Sequence, residues 1–147
     1  MMKEMIVLLD RDLNKLSEEI KSYRDEPNIW VVKGEIKNSA GNLCCHLLGN
    51  LNHFIGAILG KTGYVRNREL EFSSKDISRK DLVAEIEKVK GIIHTVLNKL
   101  DPKDLETPFP AQITGGPMST RHFLLHLYGH LNYHLGQINY HRRLIEN

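Results

Sequence analysis

Four histidines recur at a strict spacing of four near the carboxyl end of the chain. They are His122, His126, His130 and His134, and they lie within the segment 119–145. Residues four apart stack on nearly one face of an α-helix, whereas a strand would divide the intervening leucines between its two faces. The spacing therefore predicts a long helix that carries a column of imidazoles, an arrangement that suits paired metal ligands.

The histidine column drifts around this helix, so its members differ in their expected burial. At about 100° per residue, one arc contains His134 together with the apolar residues Phe123, Leu127, Leu131, Leu135 and Ile138. His130 lies at the near edge of the arc, His126 is further round, and His122 is almost opposite the arc's centre. The helical phase therefore predicts that His130 and His134 point toward a core.

Composition describes one ordinary globular domain that spans residues 1–147, a length that can bury a sizeable core. Hydrophobic residues make up 41% of the chain and charged residues 26%, which argues against a disordered protein. The 20 basic and 18 acidic residues are spread along the chain, which argues against nucleic acid as a partner.

The sequence also argues against a membrane or secreted protein. It contains no signal-peptide pattern and no run of about 18 apolar residues that could span a bilayer. Cys44 and Cys45 are adjacent and therefore form a poor intramolecular disulfide pair, which fits a reducing compartment. We therefore expect a cytoplasmic protein with no membrane partner.

Four segments carry a helical period, and together they predict an all-α fold. The two connections between the last three segments are long and lack a sustained period, which favours a four-helix bundle with long crossover connections. The expected helices run from Met2 to Tyr23, from Ser39 to about Gly60, from Ser78 to Leu100 and from Ser119 to Ile145.

The second helix carries a narrow polar stripe of His46, Asn50 and His53 beside a broad apolar arc. Polar groups buried among leucines cost free energy unless they find partners, which a metal ion or a polar cavity would supply. A single histidine on an apolar face is more often a hydrogen-bonded core residue. The second pair of histidines on the last helix favours a shared site.

The apolar arc of the second helix is broader than one bundle core needs. Either this helix is central to the bundle, or part of the arc faces a second subunit. We expect a homodimer that buries part of the arc. The residues that carry this expectation are Cys44, Leu48, Ile55 and Leu59.

Two other features leave alternatives open. Arg66 and Arg68 lie in a long connection, where they either overhang a pocket or occupy a solvated surface. Glycines inside strong helices cost about 1 kcal/mol each against alanine, so they indicate close approach of another group or simple tolerance. These glycines are Gly49, Gly56, Gly129 and Gly136.

The segments NSAGNLCCHLLGNLNHFIGAILG and YGHLNYHLGQINYHRR resemble the DinB-like superfamily of metal-dependent proteins, and the Trp30 segment and RNRELEFS also fit. The likeness covers nearly the whole chain. It implies a four-helix bundle, often dimeric, that binds a divalent metal such as zinc or nickel through three histidines. Carried over by motif, these ligands are His46, His130 and His134.

Some members of that superfamily transfer low-molecular-weight thiols, and many others have no known reaction. Three imidazoles leave at least one position on a divalent ion for water or substrate, as catalytic sites do. Neighbouring side chains that could orient the ligands or bind substrate are Asn50, His53, His126 and Gln137. The sequence thus favours a metal-dependent enzyme, a thiol S-transferase or a hydrolase. A non-catalytic dimeric module that binds a metal or small ligand is the alternative.

Overall fold

The computed structural model describes residues 1–147 and contains helices, turns and loops but no β-strand. The all-α prediction is confirmed. The segment Asn52–Leu59 continues the second helix as a π-helix, and two short 3-10 turns are formed by Glu26–Trp30 and Pro102–Glu106. The α-helices are α1 (Met2–Lys21), α2 (Ala40–Leu51), α3 (Arg68–Ser73), α4 (Arg79–Lys99) and α5 (Thr120–Ile145).

Serine side chains fix the first turns of three helices. Ser39, Ser78 and Ser119 each accept a hydrogen bond from the backbone N–H three residues later, at 3.1, 3.1 and 3.2 Å. Each cap satisfies a backbone donor that has no partner inside its helix. The predicted starts of α2, α4 and α5 are confirmed.

The four long helices share a single hydrophobic core. Helix α1 packs against α4 and α5, and α2 packs against the same two helices. Apolar residues at intervals of three and four give each helix the stripe that it buries. This pairing is compatible with the predicted four-helix bundle, whose crossover course stays a prediction. No helix is both long and apolar enough to span a membrane.

The connection between α2 and α4 differs from the sequence prediction, which treated residues 61–77 as irregular. It contains the short helix α3, which begins where the Asn67 side chain accepts a hydrogen bond from the backbone N–H of Leu70 at 3.1 Å. Six residues make fewer than two turns, so no sustained helical period is visible in their sequence. Helix α3 packs against α2.

The broad apolar arc of α2 and its π-helical continuation is explained within one chain. Cys44, Leu48 and Ile55 are buried, and Leu59 is half-buried. The arc is broad because this helix is central, with contacts to α3, α4 and α5. It therefore gives no support to a second subunit, and the homodimer stays a prediction.

The only tryptophan of the chain reports on the packing of α2. Trp30 lies directly over Gly41, where a methyl group would approach the indole ring to 2.6 Å. We predict that Gly41→Ala lowers the free energy of unfolding by about 1–3 kcal/mol, because the ring must shift to relieve the overlap. Urea denaturation followed by Trp30 fluorescence measures the change.

A matched control is available on α4. Gly91 lies in the helix interior and is exposed, and a methyl group there would meet nothing within 4 Å. Gly91→Ala should therefore stabilise the protein by about 0.5–1 kcal/mol through helix propensity. Equal effects of the two substitutions would contradict the packing of Trp30 on Gly41.

Candidate metal centre

Three histidines from two helices converge beside the core. His46 is buried on α2, and His130 and His134 are half-buried on α5. One potential ligand atom from each residue lies within 4.8 Å of those of the other two. The helical phase of α5 correctly separates this pair from His122 and His126, which are both exposed.

The three imidazole rings face one another edge to face. Their centroids lie 4.6–5.2 Å apart, and their planes cross at 77–90°. The Nε2 atoms of His46 and His130 are 3.1 Å apart, while the Nδ1 atom of His130 is buried with no hydrogen-bond partner. Several ring nitrogens therefore meet in one place, as a shared cation would require.

Hydrogen bonds at the far side of two rings determine which nitrogen is free. Glu71 Oε1 accepts a hydrogen bond from His46 Nδ1 at 3.0 Å, and Gln137 Oε1 accepts one from His134 Nδ1 at 2.7 Å. A carboxylate or amide oxygen only accepts, so Nδ1 carries the proton in both histidines. Each neutral ring then keeps the Nε2 lone pair as its ligand atom.

The carboxylate behind His46 is held by an arginine. Glu71 lies on α3 and is only 5% exposed. Arg66, which precedes α3, donates two hydrogen bonds to this carboxylate, from Nε to Oε2 and from Nη2 to Oε1, both at 2.8 Å. A buried carboxylate is tolerated when it is paired and hydrogen-bonded in this two-point manner. Arg66 thus fixes Glu71, and Glu71 fixes the His46 ring.

Gly49 on α2 makes room for this carboxylate. A methyl group at that position would overlap the carboxylate of Glu71. Gly56 is similarly close to the Asn52 side chain, whereas a methyl group at Gly129 or Gly136 would meet nothing within 4 Å. Close approach therefore explains the first two glycines and does not explain the two on α5.

Burial keeps two of the histidines in their neutral form. It lowers the pKa of His46, against the opposing effect of the Glu71 hydrogen bond. Burial, with the neighbouring imidazoles of His134 and His46, lowers the pKa of His130 to about 4. Both rings are therefore unprotonated at neutral pH, the form in which imidazole binds a metal.

This donor set fits a divalent transition metal. Neutral imidazoles suit zinc, nickel, copper and iron, and hydrogen bonds from the outer ring nitrogens to oxygen atoms are typical of such ligands. The available ligand atoms are nitrogens, and the one buried carboxylate nearby already accepts from Arg66 and His46. Calcium and magnesium, which prefer oxygen ligands, fit this site poorly.

Two cavities flank the histidine trio. A cavity of about 220 Å³ touches His46 and His130, and a groove of about 510 Å³ touches His134. The smaller cavity is also lined by Asn50, Phe54, Arg66, Arg68, Phe123 and His126. The groove is also lined by Leu43, Tyr133, Gln137 and Tyr140.

The four residues predicted to surround the site fall in different places. Asn50 and His126 line the smaller cavity, and Gln137 lines the groove and contacts His134. His53 lines neither the smaller cavity nor the groove. Its ring packs edge to face against the Phe54 ring, with the two ring centroids 4.8 Å apart. Arg66 and Arg68 both border the smaller cavity. Of the two alternatives for these arginines, a position over a pocket therefore fits better than a solvated surface away from one.

Glu71 is the residue of this site that sequence reasoning missed. It lies in a segment whose helix is too short to show a period, and it is 25 residues from the histidine that it contacts. The available signal was Gly49, which follows His46 by three residues and therefore shares its face of the helix. A glycine there indicated that another group approaches α2 closely.

Glu71 gives a direct test of this hydrogen-bond chain. Glu71→Gln removes the negative charge that holds Arg66 and polarises His46, so we predict zinc affinity weaker by about 10–100-fold. Competition with a chromophoric chelator measures the affinity. Glu69→Gln is the control, because Glu69 is an exposed carboxylate on the same helix. Equal affinities for the two variants would contradict the proposed role of Glu71.

Weaker zinc binding is also expected from a substitution that alters no charged residue. Gly49→Ala should displace the Glu71 carboxylate and weaken zinc binding, whereas Gly129→Ala, which meets nothing within 4 Å, should not. If Gly49→Ala retained full affinity, the position of Glu71 would be irrelevant to the site.

Comparisons with known proteins agree with the resemblance seen in the sequence. A search among curated proteins finds no significant match. The profile of the DinB superfamily matches residues 9–138, a range that includes the three histidines and Glu71. The chain therefore belongs to the DinB superfamily.

Proposed function

We propose that the protein is a metal-dependent enzyme whose site is built from His46, His130 and His134. The convergence of three imidazoles, with their ligand atoms within 4.8 Å of one another, carries this proposal. Membership of the DinB superfamily is compatible with it. Zinc or nickel is the proposed ion, since both accept imidazole ligands.

The three histidines would hold the ion, and the side chains behind two of the rings orient them toward it. His46 is backed by Glu71 and His134 by Gln137, so both rings are oriented before any ion binds. Open space lies at the trio on two sides, in the smaller cavity and in the groove. A divalent ion held there supplies Lewis acidity, which makes a thiol or water a better nucleophile near neutral pH.

The reaction that we propose is transfer of a low-molecular-weight thiol to an electrophilic carbon. The thiol sulfur forms a bond to the carbon, and the bond from that carbon to its leaving group breaks. The leaving group departs with the electron pair of the broken bond, and the thiol proton passes to solvent. Two separate spaces at the trio support a two-substrate reaction, since each substrate can occupy one.

The ligand assignment predicts how metal content responds to each histidine. Replacing His46, His130 or His134 with alanine should remove most bound zinc, because one of three donors is lost. His122→Ala should leave the zinc content unchanged, since His122 is exposed outside the trio. Elemental analysis after dialysis measures the content. Loss of zinc in His122→Ala with retention in His134→Ala would exclude this assignment.

The enzymatic proposal predicts turnover that depends on the same histidines. Protein loaded with zinc or nickel should accelerate the reaction of a small thiol with 1-chloro-2,4-dinitrobenzene, and His46→Ala should abolish the acceleration. Absorbance of the thioether product measures the rate. Tight zinc binding without turnover for several thiols and electrophiles would instead favour the non-catalytic metal-binding module.

A further inference from the structure

The smaller cavity beside the histidine trio carries an uncompensated positive charge. Its charged lining residues are Arg66 and Arg68, and no carboxylate lines it. Glu71 neutralises Arg66 through two hydrogen bonds at 2.8 Å, and its Oε1 atom also accepts a hydrogen bond from His46 Nδ1. Arg68 forms no ion pair with any residue of the chain, unlike Arg66. The cavity therefore favours a negatively charged occupant.

A buried amide in the same cavity lacks a partner. Asn50 is only 8% exposed, and its Oδ1 atom is buried with no hydrogen bond. Leaving such an acceptor unpaired costs about 1–3 kcal/mol, so a partner is expected in the functional state. Asn50 lies one helical turn after His46 and lines the cavity next to it. A ligand with an N–H or O–H group could satisfy this amide.

Aromatic side chains form the apolar wall of the cavity. Phe54 and Phe123 pack edge to face with centroids 4.9 Å apart, and the His126 ring stacks on Phe123 at 5.7 Å. These rings give the cavity an apolar wall, and Arg68 is an exposed residue at its edge. The volume of about 220 Å³ is below the usual range for drug-sized ligands, so a small molecule fits.

We propose that this cavity selects a small organic anion whose charged group is held by Arg68. An N–H or O–H group on the anion would add a hydrogen bond to Asn50, but the selection by charge does not require it. The inference rests on the proposed function in one respect, since it places the reactive thiol of this anion at the histidine trio. A planar guanidinium suits carboxylates in particular, because its fork can donate two parallel hydrogen bonds. The thiol substrate would then be a small mercapto acid.

Three thiols that differ in charge test this selectivity. Cobalt-loaded protein is titrated with 3-mercaptopropionate, 2-mercaptoethanol and cysteamine, and the sulfur-to-cobalt absorption band reports binding at the metal. We expect the anionic thiol to bind about tenfold more tightly than the neutral one, a factor typical of a charged hydrogen bond. Cysteamine, which is cationic, should bind most weakly.

Substitution of Arg68 supplies the matched comparison. Arg68→Gln should bring 3-mercaptopropionate to the affinity of 2-mercaptoethanol while leaving the latter unchanged. Lys75→Gln removes one positive charge from an exposed residue of the same connection and should preserve the preference. Equal binding of all three thiols by the unsubstituted protein would overturn the anion site while leaving thiol binding intact.

A second measurement tests anion binding without a thiol. If no thiol bound to cobalt-loaded protein, the thiol-transfer proposal would be wrong, but anion binding would still be tested by this measurement. Zinc-loaded protein is heated with excess propionate or with chloride at equal ionic strength. Propionate should raise the unfolding temperature of the unsubstituted protein and of Lys75→Gln, but not of Arg68→Gln. Equal stabilisation of all three proteins would mean that propionate merely coordinates the ion, and no stabilisation would mean that the site does not bind carboxylates. Either result would overturn the inference.

Discussion

The rest of the site depends on the hydrogen bonds that the buried Glu71 carboxylate forms with Arg66 and His46. An isolated charge at 5% exposure would be strongly unfavourable, so Glu71 requires both Arg66 and His46 as partners. The contact with His46 attaches the connection after α2 to that helix and determines which His46 nitrogen remains free, while the contact with Arg66 joins two residues within the connection. One carboxylate therefore links the position of a loop to the ligand state of a histidine.

The core and the site make opposite demands on α2. Its central position requires apolar side chains on most faces, and the same helix must also present His46 and Asn50 to a polar space. Burial lowers the pKa of His46, which keeps the ring neutral and able to bind a metal at neutral pH. Burial of the His46 imidazole beside leucines costs free energy, and the same burial keeps the ring in the neutral form that its proposed function requires.

Sequence patterns predicted the long helices and part of the site, for identifiable physical reasons. Helices of 20 residues or more repeat their apolar stripe often enough to be visible, and the phase of α5 correctly placed His130 and His134 inward. The polar stripe of α2 indicated both His46 and His53 as candidates, and likeness to the superfamily selected His46 as the ligand. Glu71 was missed because its contact joins two distant segments through a six-residue helix.

The two sides of the site differ in how firmly they are fixed. His46 is buried and tied through Glu71 to Arg66, whereas His134 is half-buried and tied to Gln137, an exposed residue one turn away on the same helix. A bound ion would bridge α2 and α5, so its binding free energy would add to the packing between these helices. That added stability would oppose motions that separate α5 from α2, because such motions would remove at least one donor from the ion. We propose that the second substrate, the electrophile, enters from the less constrained His134 side, where the groove of about 510 Å³ opens, while the thiol occupies the smaller cavity.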